Sequence, residues 1–406
     1  MIAPARVLQP DYFDAFRCIG AACEDTCCAG WTVHIDKTTY GKYQNCSDPQ
    51  LAPALRTLVT INGKSSGEDD YAQIMLSGDG CHFLNEGLCS IQQRLGEEYL
   101  SDMCATYPRV VNRVDQVWQR SLDLSCPEAA RAALRDARPM EFHERDDSTG
   151  AMRPGNYPAL DLAGLKERAE PYRFFREVRR QVVARLQDRS YPIWKRLLLV
   201  GRLCESLNGD GPDADAHADD FPAHAVSQPA AQLEAVLDLI VARISADANP
   251  RRFLECYQEF MQGLAWTPTS TMEEIGARYA QAFSQHYAPF LTRHEYMLEH
   301  VLVNYAHRTL FPFGLPGSNR RIAQQRIPII TAQYMLMIAH YAIIRTLLIG
   351  MAGFHREAFG TAHVIKLIQS CAKTFEHSLT YPGRAVEMLA EKGMNTPLSL
   401  CVLIAN

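Results

Sequence analysis

The sequence lacks an excess of positive charge, and this absence argues against a nucleic-acid-binding function. The 406 residues carry a formal net charge of −5, so the protein surface as a whole would not attract DNA or RNA electrostatically. The start of the chain also lacks an unbroken apolar segment, because Asp11 and Asp14 interrupt it. We therefore predict no nucleic-acid partner and no signal peptide, and we expect a cytoplasmic protein whose thiols stay reduced.

The longest apolar stretch lacks the uninterrupted apolarity of a membrane span. It runs from Ile327 to Phe354 as IPIITAQYMLMIAHYAIIRTLLIGMAGF and is long enough to span a membrane. Gln333, His340 and Arg345 lie near its middle, and each is costly in lipid. We predict a buried core helix here and no membrane insertion.

The marks of a nucleotide-binding α/β fold are also missing. Neither alternating βαβ units nor an internal repeat is visible. The glycine-bearing stretches LSGDGC at 76–81 and FGLPGSNR at 313–320 lack the strand–GxGxxG–helix context of a dinucleotide site. Both are interpreted as plain loops, so the sequence does not indicate where a nucleotide cofactor binds.

Cysteine is sparse in most of the chain and dense in one segment. Of 13 cysteines, nine lie between Cys18 and Cys126. The other four are scattered: Cys204, Cys256, Cys371 and Cys401. Scattered cysteines are usually small core hydrophobes, whereas nine in one cytosolic segment predict metal binding.

The pattern as a whole predicts a mainly α protein. Recurrent turn signals in residues 1–145 indicate an irregular, cysteine-rich metal-binding N-terminal domain, with short helices at 91–102 and 125–137 and Ser125 as the second helix's N-cap. Residues 146–207 form a helical connecting region, 208–229 an acidic loop or linker, and 230–406 a helical C-terminal domain. We expect the N-terminal domain to pack on the helical one.

The cysteine spacing is itself a motif. RCIGAACEDTCCAGW, residues 17–31, contains Cys18-x4-Cys23-x3-Cys27-Cys28, and Cys81-x7-Cys89 follows further on. Soft thiolates in such a set suit an iron–sulfur cluster or zinc. Adjacent cysteines ligate one cluster only with strain, so we expect Cys27 and Cys28 to point to different partners, or one of them to be structural.

These motifs carry a family resemblance. CxxxxCxxxCCxGW, then CHFLNEGLCSIQQRLGEEYLSDMCATYP, then SLDLSCPEAA, resemble a cysteine-cluster domain that chelates zinc or iron. Together with the C-terminal stretch VIKLIQSCAKTFEHS, the whole chain resembles the flagellin lysine N-methylase family. That family consists of cytosolic bacterial enzymes that methylate the ε-amino groups of flagellin lysines, with S-adenosylmethionine as donor.

The resemblance implies a metal-ligand set and a cofactor. It extends to eight positions: Cys18, Cys23, Cys27, Cys28, Cys81, Cys89, Cys104 and Cys126. The family's proposed cofactor is a [4Fe–4S] cluster, which takes four thiolates; a structural zinc site takes four as well and is the alternative. Cys46 lies outside the pattern and is interpreted as an ordinary thiol.

Radical chemistry is not indicated by the cysteine motif. Radical enzymes that use this donor usually carry CxxxCxxC, and here Cys23-x3-Cys27 is followed by Cys28 and then Gly30 where the third cysteine would stand. A polar displacement needs a neutral amine, although free lysine has a pKa of about 10.4. The enzyme must therefore desolvate the lysine or supply a base.

Candidate bases lie in the helical half. Glu376 and His377 stand side by side in KTFEHS and are our candidate catalytic residues. A second polar group lies in LEHVLVNYA and comprises Glu299, His300, Asn304 and Tyr305. The alternative for both groups is hydrogen bonding between buried helices, or simple exposure to solvent. The aromatic residues Tyr257, Phe260 and Trp266 are assigned to the core, with a face for a methylated ammonium as the alternative.

The predicted function is a flagellin lysine N-methyltransferase that uses S-adenosylmethionine and an iron–sulfur cluster. Two alternatives belong to other classes. The first is a metal-stapled, non-catalytic adaptor or chaperone that binds flagellin. The second is an electron-transfer or redox-sensing protein, which would show a reversible cluster potential and no dependence on the donor.

Overall fold

The structure is a computed structural model. It describes residues 5–63, 67–78, 80–147, 157–166, 170–208, 229–244, 251–322 and 327–405. Helices dominate these residues, which confirms the predicted mainly α fold. The predicted acidic loop at 208–229 lies outside them except for its two end residues.

Most helices lie in the second half of the chain, as their periodicity predicted. The described helices are α1 (Lys37–Gln44), α2 (Ala52–Leu58), α3 (Ser90–Leu95), α4 (Asp102–Thr106), α5 (Pro127–Leu134), α6 (Leu162–Lys166), α7 (Phe175–Leu186), α8 (Ile193–Ser206), α9 (Pro229–Ile244), α10 (Arg251–Gly263), α11 (Met272–Ala282), α12 (Ala288–Arg308), α13 (Pro316–Ile322), α14 (Ile329–His355), α15 (Thr361–Cys371), α16 (Tyr381–Glu391) and α17 (Pro397–Leu400). Two π-helical turns, Phe283–Tyr287 and Ala372–Glu376, follow α11 and α15 directly.

The first 160 residues also contain strands, which the sequence did not predict. The described strands are β1 (Ala5–Pro10), β2 (His34–Ile35), β3 (Val59–Ile61), β4 (Ala72–Ile74), β5 (Leu76–Ser77), β6 (Gly80–Cys81), β7 (Leu84–Asn85), β8 (Leu88–Cys89), β9 (Arg109–Val114), β10 (Val117–Leu122), β11 (Phe142–Asp147) and β12 (Ala159–Leu160). Most are two or three residues long, so period-2 alternation has no length in which to show itself.

The largest sheet has five strands in the order β11-β1-β10-β9-β12. Strand β1 pairs parallel with β10 and antiparallel with β11, so that Leu8 stands opposite both Gln119 and Glu144. The β9–β10 hairpin is closed by Asp115, which has a positive φ of 53°. Since β1 meets partners more than a hundred residues further along the chain, its pairing is not readable from its local sequence.

The apolar core falls into two clusters. The smaller cluster draws its buried residues from Val33 to Leu100 and includes the buried Cys46. The larger cluster joins residues near the start of the chain, such as Phe13 and Phe16, to α5 and to the C-terminal helices. The helical half therefore receives packing from both ends of the cysteine-rich region, while the segment between them has a small core of its own.

The longest helix, α14, forms the centre of the large cluster. It is long and apolar enough to cross a membrane, but 94% of its most apolar window is buried inside the protein. The prediction of a buried core helix is therefore confirmed. It packs closely on α10 at Gly263 and Gly350, where a Cβ on either glycine would collide with the opposing helix.

Candidate functional site

The eight predicted metal-ligand cysteines lie on several short elements. The backbone N–H of Cys81, at the end of β6, donates to the carbonyl of Cys28 at 2.7 Å, so the first cysteine stretch is tied to a hairpin. Cys89 and Cys126 are the N-caps of α3 and α5, and Cys104 lies in the first turn of α4. A helix N-terminus favours the thiolate form, which is the form that binds metals.

The thiols form two groups according to which of them influence one another's pKa. The first group consists of Cys27, Cys28, Cys81, Cys89 and Cys104. The second group consists of Cys18, Cys23 and Cys126. Burial is the largest cause of the raised thiol pKa of Cys81, Cys89 and Cys104 in the first group and of Cys23 and Cys126 in the second; this pKa reaches about 12 for both Cys104 and Cys126. Bringing several thiolates together would therefore need a cation to compensate them.

The adjacent cysteines depart from this pattern. The Cys28 thiol donates a hydrogen bond to Cys27, and this bond together with the charge of Lys373 lowers the pKa of Cys27 to about 7. The same bond and burial raise the pKa of Cys28. The two thiols therefore lie close together in the structure, and the expectation that they have different partners, or that one of them is structural, stays a prediction.

The eight cysteines have the chemistry of metal ligands, but their side chains do not come together around one point. Among the described residues, no three Cys, His, Asp or Glu side chains form a group that could hold a metal ion. The metal assignment of the eight cysteines consequently stays a prediction. The scattered cysteines are all buried, as expected for small core hydrophobes, and Cys46 is buried as well.

A polar centre lies where the cysteine-rich region meets the π-helical turn Ala372–Glu376. His377 follows that turn, and its Nε2 lies 2.9 Å from Ser125 Oγ and 3.6 Å from an Asp123 carboxylate oxygen. Ser125 Oγ in turn lies 2.9 Å from the Tyr107 hydroxyl. The Trp31 ring packs against the His377 ring in a tilted arrangement, with 4.8 Å between the centroids. We use "His377 centre" for these five residues.

Ser125, the predicted N-cap of α5, belongs to the His377 centre instead. Ser125 does not cap α5: its backbone N–H donates to Asp123 Oδ1 at 2.9 Å, and Cys126 is the N-cap, with Pro127 in the first turn. Proline at that position needs no capped N–H. The hydroxyl of Ser125 is thereby left to connect Tyr107 with His377.

Electrostatics fix the charge of Asp123. Burial alone would raise its pKa, but the charges of His377 and Arg308 hold it well below its usual range. Arg308 lies 3.6 Å from Asp123 and also forms an ion pair with Glu376. The predicted catalytic residue Glu376 is therefore engaged by Arg308, whereas the adjacent His377 faces a hydroxyl and an ionised carboxylate.

Lys373 connects the π-helical turn to the first cysteine stretch. Its ammonium lies 2.9 and 3.0 Å from the two Asp25 carboxylate oxygens and donates to the Thr26 carbonyl at 2.8 Å. It also lies 5.3 Å from the Trp31 ring centroid, which is cation–π range. Gln369, one turn earlier on α15, bonds both Asp25 and the Ser125 carbonyl.

The second predicted polar group is structural. Glu299 forms ion pairs with Arg189 and Arg196, and His300 lies within hydrogen-bond distance of the carbonyls of Ala133 and Arg138. Asn304 bonds the Tyr12 hydroxyl and the Leu122 carbonyl, while Tyr305 is buried. Of the three aromatic residues assigned to the core, Phe260 is fully buried and stacks with Tyr257; Trp266 packs beside it.

Sequence reasoning missed most of the His377 centre. Asp123 and Ser125 stand in the motif SLDLSCPEAA, in which only Cys126 was predicted to be a site residue. Two polar residues that flank a buried leucine immediately before a predicted ligand cysteine are a usable signal. The π-helical turn, a form frequent at functional sites, gave no signal in the sequence.

The comparisons with known proteins identify the family. The FliB lysine N-methylase C-terminal domain model matches residues 179–403, more than half of the chain. The chain therefore belongs to the FliB lysine N-methylase family, which confirms the predicted family.

Curated relatives agree with that assignment. A lysine-N-methylase of Salmonella typhimurium is 31% identical over 140 residues, which is 34% of this chain and 35% of the relative. The flagellar biosynthetic protein FliU of Salmonella muenchen is 31% identical over 140 residues, 83% of its own length. The chain thus matches about a third of the length of the curated lysine-N-methylases. No solved structure matches it.

Proposed function

We propose that this protein is a protein-lysine N-methyltransferase that moves a methyl group from S-adenosylmethionine to ε-amino groups of flagellin lysines. Family membership supports the reaction class, and the flagellar name of one relative supports the substrate. The observation that carries the mechanism is the His377 centre, which offers a base beside an aromatic face.

His377 would act as the general base. A protonated lysine has no free electron pair, so its proton must leave before the nitrogen attacks. Asp123 is an ionised carboxylate 3.6 Å from the ring, and an anion there stabilises the imidazolium that forms. The lysine nitrogen then displaces the sulfonium: the new N–C bond forms as the C–S bond breaks, and a neutral thioether leaves.

Trp31 would position the acceptor. Lys373 already holds its ammonium over this ring at 5.3 Å, so the face suits a cation. A substrate lysine, or the methylated ammonium that it becomes, would find the same attraction next to His377. Glu376 would not touch the substrate in this arrangement, because it forms an ion pair with Arg308; it would act as a positioning residue.

We further propose that residues 1–145 act as a metal-binding domain packed on the helical C-terminal domain. The density of thiols, their two groups and the absence of disulfide bonds between them support a [4Fe–4S] cluster, with zinc as the alternative. A bound metal would supply compensating positive charge and a structural staple. No step of the methyl transfer depends on it.

Mass spectrometry of purified flagellin tests the reaction. After incubation with the anaerobically purified protein and S-adenosylmethionine, lysine peptides should gain the mass of CH2 groups. The variant His377→Gln should slow this gain by roughly 10²–10⁴-fold, the range of a general base. His286→Gln, on the other π-helical turn, is the matched control and should keep the full rate.

The same assay separates the alternatives. Tight flagellin binding without any mass gain would favour the adaptor, and an unchanged rate in His377→Gln would remove this residue from the mechanism. Iron, sulfide and zinc analysis with a visible spectrum of the same sample tests the metal. A colourless protein that contains zinc alone would overturn the cluster, and a protein without any metal would overturn the metal-binding domain.

A further inference from the structure

A cavity lies on one face of the five-stranded sheet, away from the cysteines. It has a volume of about 360 Å³ and is enclosed by the sheet, by α7 and by the end of α12. Because side chains alternate along a strand, Leu8, Val117 and Gln119 come to the same face and line it. Its size falls in the range of small-molecule sites, about 300–1,000 Å³.

Most of the cavity wall is apolar. Aliphatic side chains of the sheet and of α7 form one part of it, and aromatic rings form another, among them Phe142, Phe175 and Phe311. Phe175 and Phe311 are buried, so this part of the wall is fixed by the core behind it. An apolar body of moderate size would be bound here by burial alone.

Among the polar residues that line the cavity, Arg179 is a half-buried cation. Its guanidinium donates to Gln119 Oε1 at 2.7 Å and to the His307 carbonyl at 3.1 Å, and it lies over the Phe175 ring. These partners are all neutral: burial, and next the charge of Arg179, lower the pKa of His307 to about 3. In the described part of the chain, no carboxylate forms an ion pair with this arginine.

The other charged residues of the lining are already compensated. Arg176 pairs with Asp115 at 3.1 Å and Arg180 with Glu177 at 2.7 Å. Glu144 pairs with Arg6. The cavity therefore keeps one uncompensated positive charge, and burial lowers the pKa of Arg179 only to about 10, so it stays charged at neutral pH.

We propose that this cavity binds a small amphiphilic anion, whose single carboxylate or phosphate group pairs with Arg179 and whose apolar body fills the space beside Phe142. The planar guanidinium matches either group with two parallel hydrogen bonds. The site is distinct from the His377 centre, and it does not suit the methyl donor. That molecule carries two positive groups against one carboxylate and would be repelled by an uncompensated arginine.

Calorimetric titration of the full-length protein with decanoate, decanol, decyl phosphate, inorganic phosphate and S-adenosylhomocysteine tests the site. Decanoate or decyl phosphate should bind at least about tenfold more tightly than decanol, since the alcohol cannot form the charge-assisted hydrogen bonds with Arg179. The stronger of the two anions identifies the head group. The proposal would be overturned if decanol bound as tightly as the anions, or if neither decanoate nor decyl phosphate bound. It would also be overturned if inorganic phosphate bound as tightly as decyl phosphate, because the apolar body would then contribute nothing.

Two variants locate the binding. Arg179→Met should remove the preference for the anion over decanol, whereas Arg251→Met, an exposed arginine on α10, should leave it unchanged. Val183→Phe narrows the cavity and keeps the guanidinium, so it should weaken both anion and alcohol while circular dichroism reports an intact fold. Unchanged decanoate binding in Val183→Phe would place the ligand elsewhere. S-adenosylhomocysteine binding that Val183→Phe abolishes would make this the donor site and overturn the assignment to a separate anion.

Discussion

Asp123 is the residue that joins the two halves of the His377 centre electrostatically. It belongs to the cysteine-rich region, yet its carboxylate faces His377 and Arg308 from the helical half. It is buried, and an uncompensated charge there would be costly. The cation Arg308 and the hydrogen-bonding contact with His377 make the charge tolerable, so these contacts should stabilise the fold as well as serve the chemistry.

Replacing Asp123 with Asn should lower the free energy of unfolding by about 1.5–3 kcal/mol at pH 7, the value of hydrogen bonds to a charged group. The folded-state pKa of this carboxyl lies below its usual range. Its stabilising effect is therefore complete above the unfolded value of about 3.9 and is lost as the pH falls below that value. Urea unfolding at a series of pH values should show the difference from wild type shrinking toward acid.

Asp136→Asn is the control for that experiment. The pKa of Asp136 is also lowered, to about 2, chiefly by its hydrogen bond with Arg138, but both side chains of this pair are exposed. Exposed pairs add little to stability. A loss as large as that of Asp123→Asn would show that burial is not what distinguishes the two carboxylates.

At the scale of whole elements, a buried ion network ties α8 to α12. Arg196 on α8 bonds Glu299 at 2.8 Å and Glu295 at 2.9 Å, both on α12. Arg189, in the loop before α8, also bonds Glu299. Arg196 and Glu299 are both about 1% exposed. The network fixes the direction of α12, whose far end presents Arg308 to the His377 centre.

Glu299→Gln should destabilise the protein by about 3–5 kcal/mol, because it leaves Arg196 as a poorly compensated buried charge. Glu295→Gln is the matched control on the same helix. Its side chain is 31% exposed, so water can replace part of what is lost and the cost should be clearly smaller. Chemical denaturation of both variants measures the difference, and equal losses would contradict a special role for the buried carboxylate.

For the molecule as a whole, an element could be predicted from the sequence when its own residues carry the pattern that defines it, and not when it depends on distant partners. Helices such as α9 and α12 carry their own apolar periodicity, and α14 shows its burial by composition. Strand β1 does not, because its partners β10 and β11 lie more than a hundred residues away. The small hairpins at Cys81 and Cys89 are too short for any pattern.

In the candidate site, too, residues with a local signal were predicted and those that depend on distant contacts were not. His377 was predicted from a polar residue in an apolar helical context, and the structure places it beside Asp123 and Ser125. Those partners were not predicted, since they become neighbours only when the chain end folds back on the cysteine-rich region. Trp31 was noted only as part of a cysteine motif. The thiol grouping likewise depends on hairpins and helix starts, which the spacing alone does not contain.

Two buried neutral histidines should set the acid stability of the whole molecule. Burial lowers the pKa of His307 to about 3 and of His340 to about 4. A histidine with a lowered pKa binds its proton more readily in the unfolded chain, so stability falls as the pH drops below about 6.5. His307 has hydrogen-bond partners, whereas neither ring nitrogen of His340 has one among the described residues.

His340→Phe should therefore stabilise the protein. The variant removes two unsatisfied buried polar atoms, worth about 1–3 kcal/mol at pH 7, and keeps a ring to pack against Tyr305, 5.2 Å away between centroids. It should also flatten the loss of stability between about pH 6.5 and the folded-state pKa of about 4. Urea unfolding across this range measures both effects. A destabilised variant with an unchanged pH dependence would mean that His340 is solvated or bonded in the native protein.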